Sequence, residues 1–206
     1  MNRSFARGAI YNNLSYCYTY PNEEVCSWLM NGRWMEEIHT ALIILTEKPE
    51  GLFPPFEGLL AEKTLPGLGS EYARLFNAVA PPYGSAYFGK DGLVPANRTS
   101  ELCRLYHEAR FTLKKDMKDF PDHIVHELEY MGILAGQEGQ ASGRTKIGLE
   151  EMQMNFFSRY LLPWVSEFCK RVAENSRSGF YLSLSLLTGR FINLEKDYLG
   201  VPEELK

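Results

Sequence analysis

The 206-residue chain has little cysteine: Cys17, Cys26, Cys103 and Cys169 are far apart and form no C-x-x-C pair. Disulfide scaffolds and thiolate metal sites need closely spaced cysteines, so these four read as reduced packing residues of a reducing compartment. Long apolar runs are missing too. The longest, over 41–45, is far too short to cross a bilayer, and the first twenty residues lack the continuous apolar stretch of a secretory signal. The chain is therefore expected to be cytoplasmic, with no stable membrane insertion. Positive charge is not in excess either: 22 basic residues stand against 26 acidic ones, for a net charge of -4. A broad attraction to phosphate backbones is excluded on that balance, and no nucleic-acid partner is expected; a basic peptide is the better match. A helical transcription regulator would need a basic recognition helix, and no helix-turn-helix is evident.

Catalytic signatures are absent as well. The chain has no G-x-G-x-x-G after a strand, no P-loop, no G-x-S-x-G elbow and no H-E-x-x-H, and no cofactor is expected. No segment alternates with period two for long, which argues against sheets.

What is present is a core and a helical period. Hydrophobic residues make up 45% and aromatics 13%, ample for one domain of this length. Ile10, Leu14 and Cys17 recur at helical spacing, and Asn22 is placed to cap a helix from 23. Met35, Ile38, Leu42 and Leu45 line the inner face of a helix over 34–47. A helix capped by Ser70 begins at Glu71, another runs from about 99 to 118, and the last three segments cover about 146–160, its continuation or kink at Pro163, and 178–195. The reading is an all-α, single-domain bundle of about nine to ten helices over 1–206, with a seam at 49–70 and a flexible turn at 136–143. That turn would serve as a hinge if the chain, otherwise a monomer, exchanged helices to form a domain-swapped dimer.

The densest polar signal is the stretch 120–131. Pro121 suits the first position of a helix, where its missing amide hydrogen loses nothing, and Asp122 then meets the positive end of the helix dipole. Ile124, Leu128, Met131 and Ala135 form an apolar stripe, leaving His123 and Glu127 together on a polar flank. A histidine in a first turn opposes the dipole when charged, and such a breach of a local rule is what function tends to leave behind. One reading makes Asp122, His123, His126 and Glu127 the metal centre of a small helical enzyme. Its weakness is ligand count, since a catalytic site takes three ligands, usually from several elements, and the only other histidines are His39 and His107.

Three blocks in order carry a resemblance: Glu71-x-x-x-Leu75-Phe76, Pro82-Tyr83-x-Ser85-x-Tyr87, and Pro121-Asp122-His123-Ile124-x-x-Glu127-Leu128. With Trp164, Phe168 and Phe180-Tyr181 they resemble the TorD/DmsD family of molybdoenzyme-specific chaperones, the redox enzyme maturation proteins. The resemblance implies a TorD-like all-helical fold and a non-enzymatic task. The chaperone would bind the apo catalytic subunit of a dimethyl sulfoxide reductase-type molybdoenzyme, with its twin-arginine signal peptide, until cofactor insertion and export. It places peptide-binding residues at Tyr83, Ser85, Tyr87, Pro121, Asp122, His123 and Glu127. Where the family often has an acidic residue, this chain has Gly84. A leader with paired arginines before an apolar run calls for carboxylates beside an apolar groove, which Asp122 or Glu127 next to Leu75, Tyr83 and Tyr87 would supply.

Overall fold

The computed structural model describes residues 1–54, 65–88, 98–109, 111 and 120–202. Asn2 opens the first helix, α1 (Arg3–Cys17), its side-chain oxygen accepting from the Phe5 amide at 2.9 Å. Asn22 does the same for α2 (Glu23–Asn31), accepting from Val25, and the left-handed Gly32 turns the chain into α3 (Arg33–Leu45). Ile38, Leu42 and Leu45 face inward on α3 as their spacing requires, joined by Trp34 and Ala41.

The next helix, α4 (Leu65–Arg74), starts before the expected Ser70 cap. Pro66 lies in its first turn, where a helix amide has no intrahelical partner and proline is tolerated. A π turn, Leu75–Val79, ends this rod ahead of Pro81 and Pro82. Of the expected seam, Pro49–Gly51 is a short 3-10 turn and 65–70 belongs to α4. The middle of that seam, 55–64, where a short helical piece is expected near 56–62, lies outside the described residues, as does the lysine-rich end of the helix expected over 99–118. Its described part is α5 (Arg98–Glu108).

The central helix is α6 (Ile124–Gln140), which lies along α1 in the most extensive helix contact of the molecule. Gly132 makes that approach possible, since a Cβ there would strike Asn12. The turn expected over 136–143 shrinks to Ala141 and Ser142: α6 runs to Gln140 because α1 grips its end, Asn2 donating to the Gly139 carbonyl at 3.0 Å. Then follow α7 (Gly143–Phe156), a π turn (Phe157–Leu161), α8 (Leu162–Asn175) and α9 (Gly179–Tyr198). The expected kink near Pro163 is this π turn, which joins α7 and α8 into one rod. Counted so, the described residues hold eight helices rather than nine or ten, with no strand beyond one isolated bridge.

The bundle closes around Trp34, Trp164, Tyr11, Tyr18, Phe168, Phe180 and Tyr181, all fully enclosed. Their rings meet edge to face or stacked: Tyr11 lies 4.8 Å from Phe191, and Phe76 stacks on Phe168 at 6.0 Å. All four cysteines are free, Cys17, Cys26 and Cys169 inside and Cys103 exposed. Burial pushes the Cys169 thiol up to about 12, which makes it a packing group.

One part of the interior is ionic. Arg7 of α1 forks onto both oxygens of Glu195 in α9 at 2.8 Å and reaches Glu138 of α6 and Gln153 of α7, each at 2.8 Å. Ser4 and Gln153 also donate to Glu138, at 2.7 and 3.0 Å. Burial alone would raise the Glu138 carboxyl, but these hydrogen bonds and the Arg7 charge outweigh it and hold the group below its usual range. Four helices are thereby pinned in one register. No helix of the described residues is long and apolar enough to cross a membrane.

Candidate functional site

The chain following Pro81-Pro82 runs extended through Tyr83 and pairs with the segment ahead of α6 in one antiparallel bridge, Tyr83 to His123. The Gly84 amide donates to the Asp122 carbonyl at 2.9 Å and the Ile124 amide to the Pro82 carbonyl at 2.8 Å. Asp122 adds its side chain, Oδ2 accepting from the Ser85 amide at 2.8 Å, and Tyr106 donates its hydroxyl to the Pro121 carbonyl at 2.8 Å. Two segments nearly forty residues apart thus form one surface.

This pairing overrides the expected start of the helix. Pro121 and Asp122 sit in the turn before α6, and His123, with extended torsions, is the cap: its Nδ1 accepts from the Val125 amide at 3.2 Å. An imidazole that accepts at Nδ1 is not doubly protonated, so the conflict between a charged histidine and the helix dipole does not arise. Nor do His123 and Glu127 form an exposed flank. His123 is 2% exposed and Glu127 0%, because their side of α6 is covered and the solvent side of the helix falls instead at Glu129, Ile133 and Gln137.

Glu127 is enclosed by partners that the sequence does not pair with it. Trp164 Nε1 donates to its Oε2 at 2.9 Å, and a guanidinium nitrogen of Arg98 reaches its Oε1 at 3.2 Å. Burial is the largest influence on this carboxyl and pushes it up to about 8; Arg98 and Trp164 pull it down, and the nearby Asp122 charge adds to the rise. Arg98 also donates to the carbonyls of Tyr160 and Arg159, at 2.8 and 3.4 Å. Gly84 lies directly over this cluster: a Cβ there would come within 2.9 Å of Arg98 and 3.1 Å of Trp164 Nε1.

The structure therefore brings Tyr83, Ser85, Pro121, Asp122, His123 and Glu127 together, with Tyr87 packed on Trp164 at 5.4 Å beneath Arg171. They differ in what they show to solvent. Ser85 is exposed, Tyr83, Tyr87 and Pro121 are half-buried, and Asp122 at 4%, His123, Glu127 and Leu75 are inside. Open carboxylates of Asp122 and Glu127 at a groove, as expected from the sequence, are not found: the first is turned to the Ser85 amide and the second to Arg98 and Trp164. The metal-centre reading fails on the same geometry. Among the described residues no three His, Cys, Asp or Glu side chains gather to hold an ion, and the rings of His123 and His126 stand 5.9 Å apart.

Two contributors escape the sequence reading. Phe120 is 66% exposed, its ring 6.0 Å from Tyr83, and is the most exposed aromatic of the surface. Arg98 is 4% exposed and holds the cluster from below; the helix expected from about 99 leaves it outside, and only the structure puts this cation in a first helical turn. Around α6 from this surface, Asn12, Tyr16, Glu24, His126 and Glu129 help to line a cleft of about 530 Å³ between α1, α2 and α6.

The model of the nitrate reductase delta subunit family matches residues 45–170, which include every residue of this surface as well as Arg98 and Trp164. The chain is similar to the chaperone protein TorD of Vibrio atlanticus, 28% identical over 122 residues covering 59% of this chain and 57% of that one. It is similar to TorD of Photobacterium profundum, 28% identical over 137 residues covering 64% and 63%. The selenate reductase assembly chaperone protein of Thauera selenatis is 29% identical over 114 residues covering 54% and 55%. The chain thus spans little more than half to just under two thirds of the length of these relatives.

Proposed function

The chain belongs to the nitrate reductase delta subunit family, in its TorD/DmsD branch, and on that premise we propose that it is a cytoplasmic, non-enzymatic chaperone of a molybdoenzyme. It holds the apo catalytic subunit of a dimethyl sulfoxide reductase-type enzyme, together with its twin-arginine signal peptide, until the molybdenum cofactor is inserted. The observation that carries this reading is the lock between 82–88 and 120–123. It offers Phe120, Tyr83, Ser85 and Pro121 as a preformed surface, and beneath it the side chains of Asp122, His123 and Glu127 are each hydrogen-bonded within the fold rather than arranged around a reacting atom.

The division of labour follows from exposure. The apolar run of a leader packs on Phe120, Tyr83 and Tyr87, while Asp122, His123 and Glu127 hold that surface in shape from within. The leader arginines need acids open to solvent, and Glu24 and Glu129 of the cleft beside α6 supply that chemistry. Binding through such exposed charges weakens with salt, and a preformed apolar surface with a few charge-assisted hydrogen bonds gives a dissociation constant on the order of micromolar.

Co-purification from the native host tests the reading. The expected companion, identified by mass spectrometry, is a molybdoenzyme catalytic subunit that still carries its leader and lacks its cofactor. Capture of the mature, cofactor-loaded enzyme alone would count against it.

A further inference from the structure

The first turn of α5 is an unfavourable place for a buried cation, because the helix N-terminus already carries partial positive charge. Arg98 sits there nonetheless, and three segments distant in sequence converge on its guanidinium. They are the Glu127 carboxylate at the start of α6, the Tyr160 and Arg159 carbonyls of the π turn, and the backbone of Gly84 immediately above it. The rings of Phe88 and Tyr160 flank the same group, their centroids 4.7 and 5.2 Å from Cζ. A Cβ on Gly84 would force Arg98 or Trp164 to shift, so the height of the loop is coupled to what lies beneath it.

Resting on the reading of this surface as the client-binding site, we propose that Arg98 is its positioning residue, fixing residues 82–88 over the start of α6 so that the surface exists before a client arrives. A buried cation that served stability alone would be replaceable by an apolar side chain of similar length. The planar fork supplies something an apolar chain lacks: it reaches one carboxylate and two carbonyls at once, in a fixed relation to the loop. The loop amides record the result, Gly84 and Ser85 both donating to Asp122. A surface ordered in advance loses less freedom when a peptide docks, so removing the fork slows association as well as lowering affinity.

The test is Arg98→Met combined with Glu127→Gln, which removes the fork without leaving a buried carboxylate unpaired. The expected protein is folded, with its thermal midpoint close to that of the wild type. Its affinity for a synthetic peptide with two consecutive arginines before an apolar run falls about tenfold or more, mainly through slower association. Exchange of the Gly84 and Ser85 amides speeds up while that of α1 amides does not. Arg98→Lys, which keeps the charge but not the fork, does not restore binding. Should the double variant fail to fold, Gly84→Ala lifts the loop from above and is expected to give the same loss of affinity and protection. Wild-type affinity and wild-type exchange at Gly84 and Ser85 in the folded variant, with Phe120→Ser still impaired, would overturn the role of Arg98 and leave the site standing. Failure of the wild-type protein to bind the peptide would overturn the site and this proposal together.

Discussion

Glu127 ties the interior of the site to a quantity that can be titrated. Its carboxyl is raised from 4.5 to about 8, with burial the largest cause. The folded chain thus holds this proton more tightly than the unfolded chain, and between the two values the unfolded state carries fewer protons, so stability falls as pH rises. The contribution is fully present below about 4.5 and is lost as pH climbs through about 8. Each pH unit of that window is worth about 1.4 kcal/mol, for a ceiling of about 5 kcal/mol. Glu127→Gln keeps a neutral group of the same shape against Trp164 and has no proton to lose. Arg98, Asp122 and Tyr106, the other ionisable groups acting on this carboxyl or acted on by it, remain in both proteins and largely cancel in the comparison. Urea unfolding of both proteins at about pH 5.5, 7 and 8.5 is the assay. The wild type should lose roughly 3 kcal/mol relative to the variant across that range, with unchanged m values. Profiles that run parallel to within about 0.5 kcal/mol would refute the reasoning, because the carboxyl would then be equally charged in both states.

Gly84→Ala should lower the thermal midpoint by several degrees, since the new methyl group displaces Arg98 or Trp164 at a cost of about 1–3 kcal/mol. Arg7→Leu leaves Glu195 buried without its cation and Glu138 with only the longer Lys146 contact at 3.8 Å, and should cost about 3–5 kcal/mol in urea unfolding; replacing all three by leucine should recover most of that loss. Phe120→Ser, at an exposed position, should change stability by no more than about 0.5 kcal/mol yet weaken peptide binding about tenfold in calorimetry.

Much of the fold was legible because it is local. Asn22 caps the helix it was expected to cap, and the stripe on α3 faces the core as its spacing requires. Helix α6 shows where that logic stops: its solvent stripe runs through Glu129, Ile133, Gln137 and Gln140, and His123 and Glu127 were assigned to a flank that other helices cover. The start of the same helix was misjudged because the bridge to Tyr83, a contact nearly forty residues away in sequence, holds Pro121 and Asp122 out of it. The site blocks were readable as residues, but their exposures were not. Whether a carboxylate greets solvent or a buried indole depends on Trp164 and Arg98, which reach it from other helices. The Arg7 network was invisible for the same reason, being assembled from α1, α6, α7 and α9.

The central claim is that the surface built from 82–88 and 120–123 holds another polypeptide. Isothermal titration calorimetry with a twin-arginine leader peptide measures this directly, run against the same peptide with both arginines replaced by alanine and against the Phe120→Ser protein. The account predicts a dissociation constant on the order of micromolar for the native pair and binding at least about tenfold weaker in each altered one. Equal affinities in all three titrations, or no heat of binding in the first, would contradict it.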